Sequence, residues 1–88
     1  MIRRIREAVR QGRLRFTGHA LEEMSDDDLE TRDVERIIHT GRVSRKFSHD
    51  PRGSRYEVTG YTEDRRSAAV VCRFVPGGVL LIITAYTE

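Results

Sequence analysis

Three consecutive β-strands are predicted in the last third of the chain. They are rich in β-branched and aromatic residues and comprise Arg55–Thr62, Ser67–Val75 and Val79–Thr87. The short segments Glu63–Arg66 and Pro76–Gly78 separate them. Because connections of this length join strands that run antiparallel, we expect a meander. The last two strands are too apolar to be solvated on both faces, so they should lie in mid-sheet with helices covering one face.

The residues before this meander are expected to supply the helices. Apolar residues at helical spacing predict helices over residues 2–11, 17–24 and 32–40. Alternating polar and apolar residues predict short strands at 13–17 and 42–48, both at sheet edges. The whole chain, residues 1–88, is therefore predicted to be one α+β domain. Its N-terminal helices should pack on one face of an antiparallel sheet of three to five strands.

Local signals give more detailed expectations. Thr17 and Thr31 are the predicted N-caps of the second and third helices. Leu21 and Met24 are spaced i, i+3 and should face the core. Gly60, inside a strand, suggests a bulge or a close approach of another backbone segment.

Strand alternation assigns side chains to the two faces of the sheet. Three residues of the second meander strand should face the core: Val70, Cys72 and Phe74. The single cysteine among them is expected to be a small buried hydrophobe rather than a nucleophile. Arg73 should then lie on the opposite, open face. Tyr86 is predicted to share a face with Leu80, Ile82 and Thr84.

Composition excludes several classes of protein. One cysteine excludes an internal disulfide framework and a four-thiolate zinc site. No apolar run approaches the ~20 residues that a membrane span needs, and no apolar signal segment follows Met1. We therefore expect a cytoplasmic protein, and we predict neither a metal nor another cofactor.

Charge is unevenly distributed along the chain, although the net charge is only +2. Arginines dominate residues 3–15, acids dominate residues 22–35, and the remainder is again basic. The planar guanidinium fork suits phosphate recognition, and the basic helix over residues 3–10 could follow a phosphate backbone. A coding bias towards arginine on a solvated surface explains the same composition, so it permits a nucleic-acid partner without requiring one.

His19 is the first candidate for chemistry. It lies at the start of a predicted helix, and Glu23 is four residues further on, so the two side chains can meet. Such a pair could perform acid–base catalysis or bind a metal weakly, but no third ligand is evident. A histidine that packs and hydrogen-bonds at a helix start is the alternative.

The polar face of the sheet is the second candidate. It carries Arg55, Tyr56, Glu57, Tyr61, Arg73 and Tyr86. RNA cleavage through the 2′-hydroxyl requires a base, an acid, and cations that stabilise the phosphorane charge. His, Glu or Tyr can move the protons, Arg can hold phosphate, and Tyr can stack on bases. An ordinary amphipathic sheet covered by long side chains explains the same residues.

Several segments carry a family resemblance. They are Phe16–Met24, Thr31–Ile38 with the following Thr40-Gly41, Arg52–Tyr56 with Gly60, Val70-Val71 and Ile82–Tyr86. Together they resemble the small bacterial and archaeal family of unknown function DUF4258, over residues 14–87. The most distinctive part is the His-Ala-x-x-x-Met start, followed by a valine-bearing helix that ends in glycine.

This resemblance implies a function. The family is similar in pattern to RelE/BrnT/MqsR-like toxins, whose members often lie beside a gene for a zinc-finger or helix-turn-helix antitoxin. By analogy, the chain is expected to have a RelE-like fold and to act as a metal-independent mRNA endoribonuclease that a partner antitoxin neutralises. The sequence departs from the family pattern at Glu23 and at Asp27–Leu29, where the family usually has an arginine and an Arg-Gly-Ile-type segment.

The residues expected to serve this function fall into two groups. The expected catalytic residues are His19, Tyr56, Arg73 and Tyr86. The expected RNA-binding residues are Arg55, Arg65 and Arg66. The resemblance itself covers His19, the Arg55-Tyr56 strand start and the closing Tyr86, and the open-face hypothesis adds the others.

Two other classes of function compete with the ribonuclease hypothesis. The first is a non-catalytic module that binds RNA or a protein with the same face. The second is a domain that chiefly forms a homodimer through an exposed edge strand. RNA, an antitoxin protein and a second copy of the chain are therefore the candidate partners.

Overall fold

Three helices and five strands make up the computed structural model, which describes residues 1–88. In chain order the elements are α1 (Ile2–Arg10), β1 (Leu14–Phe16), α2 (Gly18–Asp26), α3 (Thr31–Thr40), β2 (Arg42–Phe47), β3 (Arg55–Tyr61), β4 (Ser67–Val75) and β5 (Val79–Thr87). The predicted α+β class is confirmed, and the meander strands match the sequence-based bounds to within one residue.

The strands form one sheet in the order β1-β5-β4-β3-β2. The four strands from β2 to β5 are antiparallel neighbours, as predicted. The expectation of a wholly antiparallel sheet is wrong at one edge, because β1 pairs parallel with β5. No tight turn joins these two strands, so the turn chemistry that sets the direction of the meander strands does not act on β1.

The core lies between the helices and one face of the sheet. Its largest fully buried side chains include Ile5, Val34, Ile37, Ile38, Val58, Val70, Leu80 and Ile82. Burial of each such side chain contributes about 1.5–3 kcal/mol to folding. None of the helices has the length and apolar character needed to cross a membrane.

Two predicted details of the helices are wrong. Leu21 is 53% exposed, whereas Ala20 and Met24 are buried. Since Ala20 and Met24 are four residues apart, they define the buried stripe of α2, and Leu21 lies about 100° away from Ala20. Thr31 is the first helical residue of α3, and Glu30 is its N-cap.

Asp33 explains the start of α3. One of its carboxylate oxygens accepts the main-chain N–H of Glu30 at 2.9 Å, and the other accepts the N–H of Glu63 at 3.3 Å. This buried side chain therefore joins the helix start to the β3–β4 turn. Thr17, by contrast, is the predicted N-cap of α2, and its hydroxyl accepts the N–H of Ala20 at 3.0 Å.

The C-terminal end of α3 packs closely against β3. A Cβ atom at Gly60 would lie 2.9 Å from the carbonyl oxygen of Ile37, so only glycine fits without a shift. This confirms the close backbone approach predicted at Gly60. Arg6 of α1 donates to the carbonyls of Ile38 and Gly41, at 3.0 and 2.9 Å. One arginine of the basic first helix thus caps the end of α3.

A β-bulge interrupts the pairing of β4 with β5. Cys72 lies opposite Ile82, but the preceding Val71 lies opposite Thr84, so Ile83 is an extra residue in β5. An extra residue in one strand inverts the alternation of all residues beyond it.

The bulge moves Tyr86 to the other face of the sheet. Leu80 and Ile82 are fully buried on the helix-covered face. Thr84 and Tyr86 come after the extra residue and therefore lie on the face that the helices leave open. The predicted placement of Tyr86 beside Leu80 and Ile82 is wrong for this reason.

Candidate functional site

The candidate site is the open face, which we define as the side of β3, β4 and β5 turned away from the helices. Its side chains form three cross-strand rows: Arg55, Arg73 and Leu81; then Glu57, Val71 and Thr84; then Thr59, Ala69 and Tyr86. Neighbouring rows are about 7 Å apart along the strands. Cations therefore occupy the first row and groups that exchange protons occupy the other two.

The arginine cluster consists of Arg52, Arg55 and Arg73 around the carboxylate of Asp50. Arg55 Nε lies 3.2 Å and Arg73 Nη1 lies 3.8 Å from Asp50 Oδ2, while Arg52 Nε lies 3.6 Å from Oδ1. The side chains of Asp50 and Arg73 are only 9% and 12% exposed. Three cations thus surround one acid at the start of β3 and the end of β4.

The Asp50 carboxyl is held in its ionised form. Its pKa is lowered by the hydrogen bond that it accepts from the main-chain N–H of Arg52 and by the charges of Arg52, Arg55 and Arg73. The cluster therefore keeps a resident anion at neutral pH.

Aromatic contact extends this cluster towards β2. Phe47 lies under two guanidinium groups: Arg55 is 5.1 Å and Arg45 is 6.0 Å from the centre of its ring. Cation–π contact of this kind holds both side chains over the same ring. A register shift between Val43 and Arg45 interrupts the pairing of β2 with β3.

A second set of groups, which we call the tyrosine cluster, consists of Tyr86, Glu57 and Ser44. The Tyr86 hydroxyl donates to Glu57 Oε2 at 3.4 Å, and the Ser44 hydroxyl donates to Glu57 Oε1 at 2.7 Å. Burial and the negative charge of Glu57 raise the pKa of Tyr86. Tyr86 therefore stays protonated at neutral pH and can act as a proton donor.

His19 reaches the open face from the edge of the sheet. Its Nε2 lies 3.3 Å from Oε1 of Glu23, one turn along α2, and its side chain is 67% exposed. The hydroxyl of Thr84 donates to the same Glu23 carboxylate. Glu23 consequently links the histidine to the row that also contains Glu57.

The structure does not bring all the expected residues together. Tyr56 is buried on the helix-covered face, where its main chain pairs with Cys72. Arg65 and Arg66 lie in the β3–β4 turn, at the end of β4 remote from Arg73. Arg55, Arg73 and Tyr86 share the open face, and His19 lies at its edge.

Each of the three side-chain nitrogens of Arg66 donates a hydrogen bond within the protein. Its Nε donates to both carboxylate oxygens of Asp64 at 3.0 Å. Its terminal nitrogens donate to the carbonyls of Asp27 and Asp28, at 2.7 and 2.9 Å. This side chain joins the β3–β4 turn to the end of α2.

Sequence reasoning did not place Asp50 in any site, because the contacts of this loop residue come from distant parts of the chain. The available signal is the Asp-Pro-Arg-Gly turn, in which an aspartate commonly accepts the N–H two residues later. Glu57 and Glu23 were recognised as polar neighbours, but their hydrogen bonds could not be foreseen.

The arrangement of side chains gives no support to a cysteine nucleophile or to a metal site. Burial raises the pKa of the Cys72 thiol to about 12, in keeping with its predicted role as a buried hydrophobe. No three His, Cys, Asp or Glu side chains converge in a way that could hold a metal ion.

Comparison with known proteins gives a family. No curated protein and no solved structure matches the chain. The model of the family described as "Domain of unknown function (DUF4258)" matches residues 16–87, which is most of the domain. The chain therefore belongs to the DUF4258 family.

Proposed function

We propose that this domain is a toxin-type endoribonuclease that cleaves mRNA without a metal ion and is neutralised by a partner antitoxin. The observation that supports this proposal is the composition of the open face. Arg55 and Arg73 occupy one row, and the Glu57–Tyr86 pair reaches the adjacent row, about 7 Å away. Cations and proton-transfer groups are thus within the span of one phosphodiester and its ribose.

The proposed mechanism uses the 2′-hydroxyl of the RNA as the nucleophile. Glu57 accepts the proton of this hydroxyl while the 2′-oxygen attacks the phosphorus. Arg73 and Arg55 stabilise the charge of the phosphorane. Tyr86 donates its proton to the leaving 5′-oxygen, which gives a 2′,3′-cyclic phosphate and a 5′-hydroxyl end. His19, held by Glu23, is the second candidate for this proton donor.

The surroundings of Tyr86 and Glu57 bear on their roles as acid and base. Burial and the charge of Glu57 raise the pKa of Tyr86, so its hydroxyl is a weaker acid and gives up its proton only to the strongly basic 5′-oxygen that leaves in the transition state. The Ser44 hydroxyl orients Glu57 by occupying its other carboxylate oxygen. The acid and the base are therefore held next to each other, with Tyr86 on one oxygen of Glu57 and Ser44 on the other.

Induced expression in a bacterial host tests this proposal. Expression of the wild-type chain should arrest growth and produce cleaved transcripts. Arg73→Ala and Tyr86→Phe should remove both effects. Arg32→Ala is the matched control for Arg73→Ala, because Arg32 is an exposed arginine of α3, away from the open face. Normal growth with intact transcripts, at confirmed soluble expression, would contradict the proposal.

A non-catalytic module that binds RNA or a protein is the second candidate. The observation that favours it is the acid content of the open face. Asp50 neutralises part of the arginine cluster, and Glu57 adds a second carboxylate to the same face. This alternative predicts saturable binding of a single-stranded RNA with no new RNA ends, which gel electrophoresis after incubation would distinguish from cleavage.

A further inference from the structure

The loop between β2 and β3 presents one carboxylate to the arginine cluster. Its turn is held by two hydrogen bonds: Gly53 N–H donates to the Asp50 carbonyl at 3.0 Å, and Arg52 N–H donates to Asp50 Oδ1 at 2.9 Å. Pro51 fixes one backbone angle of the turn. Gly53 has φ +112°, which other residues rarely adopt. The loop therefore projects the Asp50 side chain by means of its own local bonds.

The two oxygens of this carboxylate have different surroundings. Oδ1 is used inside the turn, whereas Oδ2 faces Arg55 and Arg73 across the sheet. Arg55 Nε is close to Oδ2 but lacks the angle of a hydrogen bond, so it is buried with no hydrogen-bond partner. Arg73 is 3.8 Å away, which is also too far for a hydrogen bond.

Asp50 thus attracts both guanidiniums by charge without a hydrogen bond to either, and Arg55 Nε is left as a buried donor with no partner. A buried donor without a partner costs free energy, and two arginines facing each other across neighbouring strands repel. One carboxylate neutralises only one of the three positive charges in the cluster. A phosphate group offers more oxygens and matches the planar guanidinium fork with paired hydrogen bonds.

We propose that Asp50 occupies, in the free protein, the place of a phosphate group of an RNA strand, so that RNA must displace this carboxylate to reach Arg55 and Arg73. The arginine geometry alone supports a phosphate-binding site. That the phosphate belongs to RNA rests on the proposed function. Asp50 acts as an internal competitor that lowers the affinity of the open face for phosphate.

Asp50→Asn is the variant that tests this competition. Asparagine keeps an oxygen that can accept the Arg52 N–H, so the turn remains, but the negative charge is removed. In calorimetric titrations, inorganic phosphate should bind the variant about tenfold more tightly than the wild type. The substitution removes the negative charge of Asp50, which repels the phosphate anion. Asp64→Asn is the matched control, because Asp64 is also paired with an arginine but lies outside the open face. This control should bind phosphate as the wild type does.

Two further measurements complete the test. Adding Arg73→Ala to Asp50→Asn should remove the gain in phosphate affinity. In the wild type, phosphate should shift the NMR signal of the Arg52 amide but not that of Arg66, and this readout does not depend on any variant folding. An Asp50→Asn protein that binds phosphate no more tightly than the wild type, or an Arg52 amide that phosphate leaves unmoved, would overturn the inference.

RNA cleavage separates this inference from the proposed function. If the wild type cleaves RNA, Asp50→Asn should lower the KM for a short single-stranded RNA by about tenfold. If the wild type cleaves RNA but Asp50→Asn binds phosphate and RNA no more tightly, the inference about Asp50 is refuted and the ribonuclease proposal is unaffected. A gain in phosphate affinity in a chain that never cleaves RNA would refute the ribonuclease and leave the phosphate site standing.

Discussion

Arg66 and Arg73 lie at opposite ends of β4, and each faces an aspartate, but their bonding differs. Arg66 is 35% exposed and donates four hydrogen bonds of 2.7–3.0 Å to Asp64 and to two carbonyls. Arg73 is only 12% exposed, and its nearest carboxylate oxygen is 3.8 Å away. The more buried arginine is therefore the less satisfied one.

This difference teaches how to separate structural from functional arginines. A side chain whose three nitrogens all donate within the protein joins parts of the chain and has fewer donors left for a ligand. Arg73 makes no such hydrogen bonds, and Arg55 Nε beside it is a buried donor without a partner, so this cluster has donors that a ligand can use. Counting arginines on the surface would not reveal this distinction.

Arg73→Ala should give the largest effect. We expect cleavage of a short RNA to fall at least about 100-fold, because loss of one donor to a charged transition state has that magnitude. The melting temperature should change little, since the side chain contributes no good hydrogen bond. Arg66→Ala, assayed in parallel, serves as its control. Equal losses of activity in the two folded variants would contradict the distinction between a structural Arg66 and a functional Arg73.

Arg66→Ala should be the more damaging change for stability. It removes the link between the β3–β4 turn and α2 and leaves carbonyl and carboxylate acceptors without their donor. The melting temperature should fall by several degrees, as measured by calorimetry or circular dichroism. A melting temperature equal to that of Arg73→Ala would show that the four hydrogen bonds have no net effect.

Tyr86→Phe should lower cleavage by about 100-fold while leaving the fold intact. The lost hydrogen bond to Glu57 is long, so we expect a stability change below about 1 kcal/mol. Chemical denaturation measures the second quantity. Unchanged cleavage by a folded Tyr86→Phe protein would show that Tyr86 is not the proton donor.

Low pH should weaken two interactions: that of Asp64 with Arg66, and that of Asp50 with the arginine cluster. The Thr62 hydroxyl and Arg66 lower the pKa of Asp64, and the Arg52 N–H and nearby arginines lower that of Asp50. A lowered pKa contributes stability above the ordinary value near 4, and this contribution is lost as pH falls through the lowered pKa. Melting temperatures of wild type, Asp64→Asn and Asp50→Asn should therefore differ at pH 7 and converge as the pH falls through the lowered pKa values. A constant difference across this range would contradict the assigned charges.

Arg65→Ala should give the smallest effect. This exposed residue lies in the β3–β4 turn and has φ +67°. If it binds an RNA phosphate, its removal should weaken binding uniformly across sequences and reduce the salt dependence by about one phosphate contact. Fluorescence titrations at several salt concentrations measure both; an unchanged slope would remove Arg65 from the RNA-binding residues.

The meander was predictable because its information is local. Pro76–Gly78 and Glu63–Arg66 mark turns by residue type, and the strands between them alternate visibly. The close approach at Gly60 was also foreseeable from its position inside a strand. These features depend on a few adjacent residues, which one sequence displays directly.

Non-local contacts account for what could not be predicted. The parallel direction of β1, the exposure of Leu21 and the extra residue Ile83 depend on how α2 packs along β5 beyond the end of β1. The partners of Asp50 likewise come from two separate strands. Sequence patterns identified Arg55, Arg73 and Tyr86 as site candidates. The position of the Asp50 carboxylate between the arginines could be seen only in the three-dimensional structure.

The position of β5 between β1 and β4 has a consequence during synthesis. Leu14 pairs with Leu80, so β1 cannot join the sheet until β5 has left the ribosome. Thr84 and Tyr86 arrive with that same strand. The sheet of the nascent polypeptide therefore stays incomplete, and the open face lacks Thr84 and Tyr86, until β5 has emerged.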